Sequence, residues 1–231
     1  MLEARALTKT YGDHNALNNL SLTVHKGEVF CLLGQNGAGK TTTLNIFLGF
    51  TSATSGVAKI NGVEVQLNDT STKKFVAYIP EVVQLYGNLT GIENLDFFSR
   101  LADFRYVKEK LVAFLSKAGL QEEVHNKRLS SYSKGMHQKV GIAIALAKNA
   151  DVIFMDEPTS GLDPKATAEF TSTCKELATD GKTILMATHD IFNAVNVGTR
   201  IGIMKHGALV HTINTRDVTA NELQTIYLET I

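Results

Sequence analysis

Cysteine is scarce in this chain, two in 231 residues. That is too few to suggest a disulfide framework or a zinc site. Cys31 lies in the apolar run VFCLL and Cys174 in a helix-like stretch, so both read as core residues rather than catalysts. A reduced, cytosolic setting is the expectation. Net charge is missing too: Lys plus Arg and Asp plus Glu number 23 each, which argues against bulk binding to nucleic-acid phosphate. No charged-then-apolar leader opens the sequence. The longest helical apolar run, IAIALA at 142–147, falls far short of the about 20 residues that cross a bilayer. A soluble protein is expected, with any membrane role reached through a partner. Internal repeats, low-complexity linkers and long coiled coils are absent as well.

What is present is enough apolar material, 44% of the residues, to fill a substantial core. The length suits one large domain or two small ones. The first third reads as short strands separated by turn residues: LEARALTKTYG, NALNNLSLTV and EVFCLLG. In VAKINGVEV (57–65), Asn61-Gly62 between two β-type runs signals a hairpin. The period then changes. ENLDFFSRLA, VKEKLVAFLSKAGL and KGMHQKVGIAIALA carry apolar residues three and four apart, and Val107, Leu111, Phe114 and Ala118 predict one buried helical stripe. Strands return at VIFM (152–155), TILMAT (183–188) and IGIM (201–204), without alternation, as expected of parallel strands covered on both faces. The layout predicts an α/β nucleotide core, about 1–85 and 150–231, interrupted by a mostly helical insert at about 86–149.

Residues 34–42 read GQNGAGKTT. Gly34, Gly37 and Gly39 let the backbone curl and bring its N–H groups close to phosphate oxygens. Lys40 reaches the β- and γ-phosphates, and the Thr41 hydroxyl is suited to Mg²⁺. The strand before and the helix after put a phosphate at a helix N-terminus, where unpaired amides and the dipole favour anions. A chance glycine-rich turn would not need those flanks.

Further on, DVIFMDEP (151–158) is an apolar strand ending in two carboxylates. Asp156 is placed to hold Mg²⁺, directly or through water, and Glu157 to orient and deprotonate an attacking water. An acidic turn after a buried strand is common by itself but loses weight beside a phosphate loop. TILMATHD (183–190) ends at the same sheet edge, where ligands of open α/β sheets bind, and offers His189 to the γ-phosphate or the water. Histidines 14, 25, 125, 137, 206 and 211 form no ligand pair, and a solvated or core role is expected for each. In SSYSKGMHQK (130–139) a serine and a glycine open an amphipathic helix. That is a second anion site, or for Ser133 alone an ordinary N-cap.

The order of these stations resembles the ATPase domain of ABC transporters over essentially the whole chain. GQNGAGKTT resembles the Walker A loop, VIFMDE the Walker B strand with its catalytic glutamate, SGLD (160–163) the D-loop and His189 the switch histidine. YSKGM (132–136) takes the place of the LSGGQ signature, and Tyr11 resembles the aromatic residue that stacks on adenine. The resemblance implies an α/β P-loop NTPase core with an N-terminal antiparallel β subdomain and a helical signature subdomain. ATP would contact Tyr11, Gly34, Gln35, Asn36, Gly37, Ala38, Gly39, Lys40, Thr41 and Thr42. It implies Mg²⁺ on Thr41, Asp156 and Glu81, and catalysis by Glu157 and His189. Two ATPase subunits, identical or different, would pair head to tail, so that Ser133, Gly135 and Asp163 meet the partner's nucleotide. The expected partners are permease subunits on a separate chain, at the cytoplasmic face of a membrane; nucleic acid is not expected.

Two departures from the family pattern stand out. In YSKGM, Lys134 replaces the first glycine and Met136 the glutamine; Lys134 either directs its charge toward phosphate or faces solvent. Such variants resemble the subgroup serving exporters with separate membrane subunits. In YIPEVVQLYGNL, Glu81 stands where the Q-loop glutamine is usual, with Gln84 as the alternative. Other nucleotide classes fit less well. A GTPase needs Asn-Lys-x-Asp, and Asn126-Lys127-Arg128-Leu129 lacks the aspartate. A small-molecule kinase leaves YSKGM, SGLD and His189 unexplained. An ABC ATPase of DNA repair or translation would carry long coiled-coil inserts or two cassettes. Tyr86, Phe97 and Phe98 are candidates for permease contact, with buried core an equal prospect for the two phenylalanines.

Overall fold

The computed structural model describes residues 1–68 and 70–231. Strands β1 (Leu2–Tyr11), β2 (His14–Val24), β4 (Ser55–Ile60) and β5 (Val63–Glu64) form an antiparallel sheet in the order β2-β1-β4-β5. The β4–β5 connection is Asn61-Gly62, with φ of 50° and 81°. Two successive positive φ values fit the right-handed twist of a hairpin, and Asn-Gly accepts them at low cost.

The second sheet holds β3 (Val29–Leu33), β6 (Val76–Ile79), β7 (Val152–Asp156), β8 (Thr183–Thr188), β9 (Arg200–Lys205) and β10 (Ala208–Asn214) in the order β10-β9-β3-β8-β7-β6. All neighbours in it pair in parallel except β10, which runs antiparallel along the edge. β3 shows why alternation is missing from the sequence. Phe30 and Leu32 pack into a core shared with the first sheet and helix α1 (Lys40–Phe47), while Val29, Cys31 and Leu33 pack into a second core on the other face. All five are buried, as expected of a strand covered on both faces. Cys31 and Cys174 are both buried free thiols. Burial pushes the Cys31 thiol up to about 12, so it is an inert core residue.

Between β6 and β7 the chain leaves the sheet to form α2 (Gly91–Leu101), α3 (Lys108–Lys117) and α4 (Lys134–Ala147). Leu95, Leu111 and Leu115 of these helices belong to the same core as Cys31 and Met155. The helical segment is therefore built onto the sheet by continuous apolar packing. Helices α5 (Pro164–Thr179), α6 (Ile191–Val197) and α7 (Ala220–Thr230) complete this side. Among the described residues no helix is long and apolar enough to cross a membrane.

The α3 stripe departs from the expected one at Val107, which is 69% exposed. It is the N-cap, with φ −72° and ψ 157°, so its extended backbone carries the side chain off the helical face. Leu111, Leu115 and Ala118 form the buried stripe, with Phe114 half-buried. Strands β6 and β10 were not anticipated: β6 is only four residues long, and β10 has no buried residue.

Phe154 of β7 is fully buried and stacks on Phe47 of α1, ring centroids 5.8 Å apart. Phe154→Ala is expected to remove about 3–5 kcal/mol of stability, measured by urea unfolding. A loss below about 1 kcal/mol would show that the contact between sheet and α1 is not a main support of the fold.

Candidate functional site

Because β3, β6, β7, β8 and β9 are parallel, their carboxyl ends gather at one edge. Leu33 pairs with Thr188, and Asp156 with Ala187. The loop after β3, the carboxylates at the end of β7 and the histidine after β8 are therefore neighbours by register, whatever their distance in sequence.

The loop returns to α1 through Gly39, the helix N-cap, at φ 102°. A Cβ there would lie 2.6 Å from the Ala16 carbonyl oxygen, so both backbone angle and space demand glycine. Lys40, the first residue of α1, curls back beneath the loop. Its Nζ donates to the carbonyl oxygens of Gly34 at 2.6 Å and Gln35 at 3.3 Å, with Glu157 Oε1 3.6 Å away. Lys40 is only 5% exposed. A buried ammonium is tolerable only with such partners.

Asp156 Oδ2 accepts from the Thr41 hydroxyl at 3.0 Å. Burial pushes the Asp156 carboxyl above the usual range; the Thr41 bond opposes this, Glu157 adds to it, Lys40 opposes it and Glu81 adds to it. Glu157 has φ 44°, the left-handed region that non-glycine residues seldom occupy. Its N–H donates to the Ala187 carbonyl at 2.9 Å, holding the strained turn to β8. One carboxylate oxygen, Oε2, accepts from the His189 N–H at 3.2 Å and lies 2.9 Å from His189 Nδ1. The other, Oε1, is buried without a hydrogen-bond partner.

These groups border a cavity of about 380 Å³, lined by Tyr11, His14, Ala16, Gln35, Asn36, Gly37, Gly39, Lys40, Thr41, Thr42, Glu81, Asp156 and Glu157. Gly34 and Ala38 stand outside the lining: the Gly34 carbonyl holds Lys40, and Ala38 is buried with its carbonyl accepting from the Gly207 N–H. Tyr11 is 49% exposed, with Lys9 Nζ 4.7 Å from its ring centroid. His189 also lies outside the lining and reaches it through Glu157. Glu81, rather than Gln84, is on the cavity wall. Its Oε1 accepts from the Ser160 hydroxyl at 2.8 Å and faces Lys134 Nζ at 3.8 Å. His14 and Ala16 were missed; the β1–β2 hairpin carries them in, His14 pairing with Tyr11, and no local pattern marks them. Thr41 and Asp156 are two hard oxygen donors on the cavity wall, joined by their hydrogen bond. Among the described residues no cluster of three or more His, Cys, Asp or Glu could cage one.

Ser133, Gly135 and Asp163 are not part of this cavity. They line a second recess of about 200 Å³ with Lys139, Lys165 and Glu169. Within the chain Ser133 caps α4, accepting from the Met136 N–H at 3.3 Å, and Asp163 caps α5, accepting from the Ala166 N–H at 2.9 Å.

A family model described as "ABC transporter" matches residues 17–160. The chain is 34% identical over 219 residues to the bacitracin transport ATP-binding protein BcrA of Enterococcus faecalis, covering 94% of this chain and 70% of that protein. It is 37% identical over 191 residues to the Nod factor export ATP-binding protein I of Cupriavidus pinatubonensis, covering 82% of this chain and 58% of that protein. Among solved structures, the dimeric post-hydrolysis state of the ATP-binding cassette MJ0796 bound to ADP and Pi aligns with a TM-score of 0.82. The identity is 31%, and the match covers 94% of this chain and 99% of that one.

Lys40→Ala is expected to abolish measurable ATP binding by calorimetry, with the circular dichroism spectrum of the wild type retained. Unchanged ATP affinity would remove the loop from the site.

Proposed function

Because the chain belongs to the ABC transporter family as an ATP-binding subunit, we propose that the cavity at the ends of β3, β7 and β8 holds ATP for hydrolysis coupled to export. The protein is an ATPase whose turnover powers a transporter. In the proposed site the phosphates lie on residues 34–42 and the adenine on the free face of Tyr11. The observation that carries the reading is the division of labour in Glu157. The Glu157 carboxylate borders the cavity, with one oxygen tied to His189 and the other free of hydrogen bonds and 3.6 Å from the Lys40 ammonium.

The Glu157 carboxylate takes a proton from water as the water oxygen bonds to the γ-phosphorus and the bond to the β–γ bridging oxygen breaks, leaving ADP and phosphate. His189 keeps Glu157 oriented, and Lys40 offers its ammonium to the β- and γ-phosphates. Thr41 and Asp156 would hold Mg²⁺, with Glu81 at the rim; oxygen donors few in number suit an ion that takes its other ligands from phosphate and water. When bound, that ion supplies charge neutralisation to the phosphates.

The second recess supports a composite site. Ser133 and Gly135 lie at the N-terminus of a 14-residue helix, a place where anions are favoured, yet their own chain's cavity does not include them. A head-to-tail partner would bring its nucleotide there. For the membrane partner, Tyr86 packs against Phe97 and Phe98 at centroid distances of 5.0 and 6.2 Å. Tyr86 and Phe97 are 49% and 37% exposed, and none of the three is buried core. This aromatic patch suits a permease subunit on a separate chain, with the ATPase at the cytoplasmic face. The relative named for Nod factor export supports the outward direction.

Glu157→Gln keeps shape but removes the basic oxygen. Turnover should fall by about a hundredfold or more while ATP binding persists, and size-exclusion chromatography should show an ATP-dependent dimer outlasting the wild type's. Near-normal hydrolysis would place the base elsewhere. A second test mixes a Lys40→Ala chain with a Ser133→Ala chain. Mixed dimers contain one intact composite site and should regain part of the ATPase activity; no recovery would contradict the head-to-tail arrangement.

A further inference from the structure

Among the described residues, three carboxylates, Asp156, Glu157 and Glu81, line the cavity meant for a polyanion, while Lys40 is the one lysine or arginine in its lining. Lys40 stands 3.6 Å from Glu157 Oε1 and so answers one of them. Glu81 is answered from outside the cavity wall, by Lys134 at 3.8 Å.

Lys134 is the first residue of α4. A cation at a helix N-terminus opposes the helix dipole, so its position does nothing for the helix itself. Gln138, one turn along the same face, is fully buried and donates to the carbonyl oxygens of Pro80 and Glu81 at 3.2 and 3.0 Å. One face of α4 therefore grips the backbone at residues 80–81 and sets an ammonium beside the Glu81 carboxylate. Ser160, in the loop after β7, donates to the same Glu81 oxygen at 2.8 Å. The carboxylate is thus held toward Ser160 and Lys134.

We propose that Lys134 and Glu81 act as one charge-paired unit, in which Lys134 is the positioning residue that neutralises Glu81 and turns it away from the phosphates, so that the cavity tolerates a third carboxylate. Without Lys134, Glu81 presents an unanswered negative charge to the bound nucleotide. Without Glu81, there is nothing for Lys134 to neutralise. The inference rests on the ATP site proposed above.

The test is titration of a fluorescent ATP analogue in EDTA, which reads binding without metal or turnover. For a pair this exposed, Lys134→Met should weaken affinity by about two- to fivefold at low salt. The effect should fade at 1 M salt, where charges are screened beyond about 3 Å. Lys134→Arg should bind as wild type. Glu81→Gln should bind no more weakly than wild type, and Lys134→Met combined with Glu81→Gln should match Glu81→Gln alone. An equal loss from Lys134→Met in both backgrounds, as for a lysine that touches phosphate directly, would overturn the pairing, and so would no loss in either. Lys40→Ala in the same titration separates the two claims: retained binding there overturns the ATP site itself, whereas lost binding there with additive Lys134 and Glu81 effects overturns only the pair.

Discussion

Leu33 faces Thr188 and Asp156 faces Ala187 because β8 hydrogen-bonds in parallel to β3 on one side and β7 on the other. That register determines which chemical groups can meet. The glycine-rich loop, the paired carboxylates and the histidine each follow a different strand, and only parallel pairing puts all three ends at one edge. A slip of one residue would turn each strand's side chains to the opposite face, moving Cys31 and Leu33 out of one core and Phe30 and Leu32 out of the other. Packing on both faces thus holds the register on which the site depends.

Within that frame the site is built from local compromises. Gly39 accepts a backbone angle closed to other residues, Glu157 occupies one that costs energy, and Lys40 is buried against carbonyl oxygens. None of these favours stability considered alone. Each fits the proposed site, which would be arranged in advance for a triphosphate and an attacking water, so that charges and dipoles need little rearrangement when the reaction occurs.

Chemistry carried by contiguous stretches was legible in the sequence. The GQNGAGKTT loop, the Asp156-Glu157 pair and His189 announce themselves because each is a short pattern at a strand end, and Asn61-Gly62 names its own turn. The both-faces-buried strands were legible from their lack of alternation. What could not be read depends on the third dimension. His14 reaches the cavity through a hairpin, and Lys134 meets Glu81 only because α4 packs beside the end of β6. Ser160 reaches the same carboxylate across a separation of 79 residues. The apolar spacing misled at Val107, because periodicity does not mark where a helix begins. Ser133 admitted two readings, and within one chain its hydroxyl is already used as a cap.

The central claim is that one nucleotide is held by two chains, the loop of one and the α4 N-terminus of the other. A structure of the Glu157→Gln protein crystallised with ATP and Mg²⁺ tests it most directly. The account predicts two copies related head to tail, each ATP lying between residues 34–42 of one chain and Ser133 and Gly135 of its partner, with its adenine on Tyr11. ATP enclosed by a single chain, with Ser133 of both copies facing solvent, would contradict it.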